Sequence, residues 1–141
     1  MTTADSLARL HEDERQIRGL IARLAHLADH GDLDEYMTLF TDDATWDLGG
    51  TVVRGAEEIR ADRVARREQG TQGPGTNTRH MNTTSWVEVD GSDVATAHSY
   101  FLFVRDASTA PTLGVTGRYH DTFRRTPDGW KMAHRRIHMA D

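Results

Sequence analysis

Apolar side chains in the first third of the chain recur every three or four residues, which is the spacing of one helix face. They begin at Leu7, and Gly31 follows the last of them, where helices commonly end. Thr3 or Ser6 is a candidate to cap the start of this helix. Asp32 is a typical first residue of a second, shorter helix. The pattern therefore predicts two consecutive helices at the start of the chain.

Strand patterns dominate the rest of the chain. Two short strands, 45–48 and 51–54, flank a glycine turn, and a highly charged surface helix is predicted over residues 56–69. A glycine-rich loop, 70–77, leads to long strands at 78–89, 94–105, 113–125 and 130–139. Short turns between long strands predict an antiparallel meander. Helices followed by strands indicate an α+β fold, with residues 1–141 as a single domain whose helices pack on a curved antiparallel sheet enclosing a pocket.

Both faces of the predicted long strands carry apolar groups, so both faces are expected to be covered. On the first long strand His80, Asn82 and Trp86 share a face, and on the second His98 and Tyr100 do so. Polar groups on a covered face need hydrogen-bond partners, which makes them candidates for a site. One face can pack against a helix, while the other encloses a pocket or meets a second copy of the chain. We therefore expect a homo-oligomer, a dimer or trimer.

Composition narrows the class of partner. The chain of 141 residues has a formal charge of −5 and no cysteine, so a disulfide framework or a thiolate metal site is not possible. A net negative charge argues against a general nucleic-acid binder. The sequence has no apolar run of membrane-spanning length and no signal-peptide pattern at its start. We expect a cytoplasmic protein that binds a small molecule and neither nucleic acid nor a membrane.

Three residues are candidates for catalytic chemistry. Asp29 ends the apolar helix, where it either points inward or is an ordinary solvated helix-end residue. His80 is a candidate general base, although any of the eight histidines could instead be satisfied by a neighbour. Arg135 and Arg136 are adjacent on a strand and so point to opposite faces. The inward one could bind an anion or form an ordinary ion pair.

A metal site is not predicted. His134 and His138 share one face of the last strand, but no motif supplies a supporting carboxylate. Glycine-rich phosphate-binding loops and nucleophile elbows are also absent from the sequence.

Several stretches resemble those of a known family. Residues 27–36 (LADHGDLDEY) and 39–44 (LFTDDA) resemble the opening of SnoaL-like proteins, members of the nuclear transport factor 2-like superfamily. Residues 79–82 (RHMN), 117–121 (GRYHD) and 129–136 (GWKMAHRR) are similar to its later strands. The resemblance covers nearly the whole chain in the same order and implies a cone-shaped α+β barrel.

Within that superfamily the sequence looks closest to the branch of scytalone dehydratase, hexachlorocyclohexane dehydrochlorinase and bile-acid dehydratase. This resemblance implies an Asp–His dyad at Asp29 and His80, and a pocket arginine at Arg135. A second pocket histidine of scytalone dehydratase corresponds to His98. The other side chains expected to contact substrate are Asn82, Trp46 and Tyr119.

The branch implies a lyase that needs no metal or organic cofactor, eliminating water or halide from a small, largely apolar molecule. The alternatives are a ketosteroid-isomerase-like or polyketide-cyclase-like proton shuttle, and a non-catalytic ligand-binding module. One departure concerns Leu24, which stands where branch members often carry a polar Lys or Tyr. The acid for the leaving group would then come from elsewhere: Tyr119, Tyr100, His98 or Arg135.

Overall fold

A computed structural model describes residues 2–139. The elements follow in the order α1 (Thr3–His30), α2 (Leu33–Met37), β1 (Phe40–Asp47), β2 (Val52–Arg54), α3 (Ala56–Glu68), β3 (Arg79–Glu88), β4 (Val94–Arg105), β5 (Thr112–Thr126) and β6 (Gly129–His138). Helices α1 and α3 pack on a curved sheet that is not closed into a barrel, so the predicted α+β class is confirmed.

Helix α1 is continuous through its polar middle and carries the carboxylate Asp29 in its last turn. The predicted caps, Thr3 and Ser6, were wrong by a residue or more. Thr2 is the N-cap, and its hydroxyl accepts the Asp5 N–H while the Asp5 side chain accepts the Thr2 N–H. This reciprocal pair satisfies two of the donors that a helix start leaves open. Asp32 caps α2 as predicted.

The sheet is mixed, which corrects the prediction of a purely antiparallel one. Its strand order is β2-β1-β6-β5-β4-β3, and β1 runs parallel to β6. Strands β3 to β6 form the expected antiparallel meander. Local turn signals predict hairpins, whereas the β1–β6 pairing joins residues as far apart in the chain as Thr45 and His134, so no turn motif indicates it.

A register shift in β3 changes which side chains share a face. His80 pairs with Phe103 and Asn82 with Phe101, but beyond the shift Ser85, not Thr84, pairs with Ser99. The extra residue is a β-bulge, which turns the rest of the strand over. Trp86 therefore lies on the opposite face from His80 and Asn82, contrary to the simple alternation.

The core lies between α1, α3 and the inner face of the sheet. Ile17 of α1, Ile59 of α3 and Met132 of β6 are completely buried there. Asp13 ties α1 to the sheet, since its carboxylate accepts two hydrogen bonds from Arg125 at 2.8 Å. The hydrogen bonds from Arg125 lower the pKa of Asp13 despite its burial.

The outer face of the sheet is open in the single chain. Trp86 and Tyr100 are each 61% exposed, and Leu113 is 57% exposed. Trp86, His98 and His120 form a row of rings there, with centroids 5.3 and 4.2 Å apart. Within residues 2–139, no helix is both long and apolar enough to cross a membrane.

Candidate active site

Asp29 and His80 form a doubly hydrogen-bonded pair. The Asp29 Oδ1 lies 2.7 Å from the His80 Nδ1, and its Oδ2 accepts the His80 backbone N–H at 2.9 Å. Asp29 is only 4% exposed. An ionised carboxylate can only accept, so a neutral His80 must carry its proton on Nδ1. Its Nε2 is then left with a free lone pair, as a general base requires.

Local structure places both members of the dyad. Asp29 is held by the last turn of α1, and His80 is the second residue of β3, which packs on α1. Gly31 ends the helix at a position with no room for a side chain, because a Cβ there would lie 2.8 Å from the Leu27 Cα. The Arg67 guanidinium donates to the Leu27 carbonyl at 3.2 Å. These contacts fix the helix end that aims Asp29 at His80.

The dyad opens onto a cavity of about 610 Å³, within the usual range for small-molecule sites. His80 lines it, and since Nδ1 is bound to Asp29, Nε2 is the ring nitrogen available to a ligand. The walls combine apolar and aromatic side chains, such as Leu24 from α1 and Phe101 and Phe103 from β4, with polar and charged ones in similar number. A ligand with an apolar body and several polar groups fits such a lining.

Arg135 lines the cavity, but its charge is already compensated. Its guanidinium makes a two-pronged bond to Asp121, with Nε and Nη2 donating at 2.8 and 2.9 Å. Burial alone would lower the pKa of Arg135, yet the Asp121 charge and hydrogen bonds raise it overall. Asp121 is 0% exposed. Arg136 is exposed on the other face of β6, as the alternation predicted.

Tyr119 is a cavity residue whose phenol can donate a hydrogen bond. Its ring stacks on Phe101 at 4.3 Å, and the Arg135 Cζ lies 3.7 Å from its centroid. Burial raises the pKa of Tyr119 to about 12, although Arg135 opposes the shift. The phenol therefore keeps its proton at neutral pH and can donate a hydrogen bond.

Asn82 and Trp46 also line the cavity. The Asn82 Nδ2 donates to the Ile21 carbonyl at 3.4 Å. The Oδ1 of the same amide is buried and has no hydrogen-bond partner. The Trp46 Nε1 is likewise buried and unpartnered. Buried polar atoms are normally satisfied, so these two are candidates to meet polar groups of a ligand.

His98 and Tyr100 do not reach the cavity. Both lie on the outer face of β4, with His98 stacked on His120 at 4.2 Å. The prediction that His98 binds substrate was therefore wrong, because the alternation along β4 places His98 on the opposite face from Phe101 and Phe103, which line the cavity. Neither residue can serve as the acid for a leaving group.

The cavity residues that the sequence reasoning missed include Arg63 of α3 and Tyr36 of α2, as well as Arg66 and Arg105. Burial raises the pKa of Tyr36, with Arg63 opposing the shift. A signal for Arg63 was present: Ile59, Arg63 and Arg66 follow one another at helical spacing. The buried Ile59 marks that face as the inward one.

Within residues 2–139, no group of three or more His, Asp or Glu side chains is arranged to hold a metal ion. His134 instead forms a 2.6 Å hydrogen bond between its Nδ1 and the Thr45 hydroxyl.

Solved structures of similar proteins share the fold. An NTF2-like protein with a cystatin-like fold from Novosphingobium aromaticivorans is 30% identical, with a TM-score of 0.88 over 100% of this chain and 90% of that one. A protein provisionally named an aromatic ring hydroxylase, also from Novosphingobium aromaticivorans, is 26% identical, with a TM-score of 0.69 over 92% and 90% of the two chains. No curated protein sequence matches significantly.

A protein of the NTF2-like family from Streptomyces avermitilis, provisionally named a dehydratase, is similar in fold alone. It is 18% identical, with a TM-score of 0.75 over 93% of this chain and 98% of that one. The family model of the SnoaL-like domain matches residues 9–136, almost the whole of the described chain. Together with the shared fold, this match shows that the chain belongs to the SnoaL-like family.

Proposed function

We propose that the protein is a cofactor-independent lyase that eliminates water or halide from a small, largely apolar molecule, with Asp29 and His80 as its proton-abstracting dyad. The observation that carries the proposal is the 2.7 Å bond between Asp29 Oδ1 and His80 Nδ1 at the wall of the cavity. Buried, mutually oriented acid–base pairs in cavities are characteristic of catalytic sites.

In the first step, His80 Nε2 takes a proton from a carbon next to an electron-withdrawing group. Asp29 holds the ring in the productive tautomer and stabilises the imidazolium that forms. The electron pair of the broken C–H bond forms the new C=C bond, and the leaving group departs with its own bonding pair. His80 then gives its proton, through water, back to Tyr119 if the phenol has protonated the leaving group, and otherwise to bulk water.

Tyr119 is the proposed donor to the leaving group or to the enolate oxygen. Its phenol is protonated at neutral pH and lies on the cavity wall. Leu24 lines the cavity and offers no proton, so another residue must supply one. Arg135 acts more strongly on Tyr119 than its partner Asp121 does, so it would favour developing negative charge there although Asp121 offsets part of its charge.

Leu24 also supports a second candidate, a proton shuttle of the isomerase or cyclase type. Such a reaction needs a base and an oxyanion donor but no acid for a leaving group. In that case the proton taken by His80, or by Asp29 itself, is returned to another carbon of the same molecule. The names of the two relatives, a dehydratase and an aromatic ring hydroxylase, differ and do not choose between reactions.

The test is deuterium exchange. Small hydroxy- and halo-carbonyl compounds with apolar bodies are incubated with the protein in D₂O and followed by ¹H NMR and mass spectrometry. We expect loss of one C–H signal, together with loss of water or hydrogen halide from the mass. Exchange with the mass otherwise unchanged would favour the shuttle. Compounds that bind with neither exchange nor loss of water or hydrogen halide would contradict both and leave a ligand-binding module.

We also propose that the outer face of the sheet joins two copies of the chain. Trp86, Tyr100 and Leu113 together leave a large apolar surface on the face away from the helices. Light scattering should then show a dimer or trimer for the wild type and a smaller species for Trp86→Glu. A monomeric wild type would contradict this proposal without bearing on the dyad.

A further inference from the structure

The part of the cavity wall that α3 and β1 form, here called the α3 flank, differs in charge from the part that holds Asp29 and His80. Asp29 and His80 belong to α1 and β3, whereas α3 packs on β1. Strands β1 and β3 lie four places apart in the sheet order. Arg63 from α3 and Trp46 from β1 line the cavity on the α3 flank.

Arg63 is a largely buried cation with incomplete compensation. Its side chain is 12% exposed, and its Nη1 donates to the Gln72 Oε1, a neutral acceptor, at 2.7 Å. Its Nη2 lies 3.8 Å from the Asp62 Oδ2. That same oxygen already accepts a 2.8 Å bond from the Arg66 Nε. Two guanidinium groups therefore share one carboxylate, and the flank retains an excess positive charge.

Two hydrogen-bond donors on this flank also lack acceptors. The Nε of Arg63 and the Nε1 of Trp46 are both buried and without a partner. The two side chains touch, with the Arg63 Cζ 4.8 Å from the Trp46 ring centroid. Buried donors without acceptors and an under-compensated cation are both costly to the free protein. An anionic ligand group at this point would offset both costs.

We infer that the natural ligand is a monocarboxylate with a compact apolar or aromatic body, and that its carboxylate binds at Arg63 beside Trp46. The inference rests on the proposed function in that it names the substrate class for the same cavity. A guanidinium presents paired N–H groups that match the two oxygens of a carboxylate. Arg135 is unsuited to this binding because Asp121 already occupies its paired donors.

The carboxylate anchors the ligand and is not the electron-withdrawing group that acidifies the C–H bond. Anchored on the α3 flank, it directs the other end of the molecule toward His80. Phe101 and Phe103 line the cavity wall, where an apolar body can pack. The Asn82 Oδ1, two residues along β3 from His80, can accept a hydrogen bond from a ligand hydroxyl.

The test compares acids with their amides. Benzoate, trans-cinnamate and 1-naphthoate, each paired with its uncharged amide, are titrated into the ¹⁵N-labelled protein and followed by NMR. We expect at least one acid to bind about tenfold or more tightly than its amide, as a charge-assisted hydrogen bond implies. Binding should shift the indole N–H signal of Trp46, which the Trp46→Phe variant assigns. This measurement does not depend on replacing a charged residue.

Arg63→Gln should abolish the preference for the acid, while Arg60→Gln should keep it. Arg60 lies on the same helix and carries the same charge, but it pairs with Asp34 outside the cavity. Asp29→Asn should also keep the preference, so a failure of the proposed proton transfer is distinguishable from a failure of this inference. Equal binding of acids and amides, no binding of any acid at millimolar concentration, or a preference that survives Arg63→Gln would overturn it.

Discussion

Replacing His80 with Gln, or Asp29 with Asn, should lower the rate of proton exchange by about 10²–10⁴-fold, the usual contribution of a positioned general base. Asp29→Asn is expected to slow exchange because it changes the tautomer of His80. An amide at this position can donate to Nδ1, which places the His80 proton on Nε2 and removes the lone pair that must attack. Exchange rates in D₂O, measured on the substrate found above, check both variants.

The double variant makes the test sharper. If the two residues act as one unit, Asp29→Asn with His80→Gln should be little slower than His80→Gln alone. Asp43→Asn is the matched control, because Asp43 is an exposed carboxylate paired with Arg124 on the surface. Its exchange rate should equal that of the wild type. Losses that simply multiply in the double variant would contradict the dyad.

Asp121→Ala should lower the free energy of unfolding by about 3–5 kcal/mol, because it leaves the Arg135 charge buried without a partner. Asp121 is 0% exposed and Arg135 is 9% exposed. Replacing both with apolar residues, as in Asp121→Leu with Arg135→Met, should recover much of the loss. Urea denaturation of the two variants measures both effects.

The matched control is an exposed ion pair of nearly the same length. Arg124 and Asp43 are 2.7 Å apart, with side chains 45% and 70% exposed. Because water screens such a pair, Asp43→Ala should cost about 1 kcal/mol or less. If Asp121→Ala and Asp43→Ala cost the same, burial is not what makes the Asp121–Arg135 pair matter.

The contact between Asp29 and His80 could be predicted from the sequence because both residues sit at element ends that local patterns define. Gly31 and Asp32 mark the end of α1 and so locate Asp29, and the breaker-rich loop marks the start of β3 and so locates His80. The resemblance to SnoaL-like proteins then paired them. Neither step required knowledge of how the sheet packs against the helices.

Three errors concern the sheet, and each has its own physical reason. The bulge after Asn82 separates Trp86 from His80, and no local motif announces it. His98 was assigned to the cavity by spacing, but the β4 alternation places it outside. The parallel pairing of β1 with β6 is set by the whole fold.

Arg63 was missed for a different reason. Helix α3 has few apolar positions, which is typical of a surface helix, and charged residues are rarely buried. Here Ile59 alone anchors the inward face, and arginines occupy the next turns of that face. A helix that covers a polar ligand site can look like a solvated helix in sequence.

The most direct test of the central claim needs no substrate. Long-range ¹H–¹⁵N correlation spectra of ¹⁵N-histidine-labelled protein, taken at a pH where the ring is neutral and assigned with His80→Gln, report which ring nitrogen of His80 carries the proton. The 2.7 Å bond to Asp29 predicts a protonated Nδ1 and a free Nε2, with the reverse in Asp29→Asn. A proton on Nε2 in the wild type would contradict the assignment of His80 as the base.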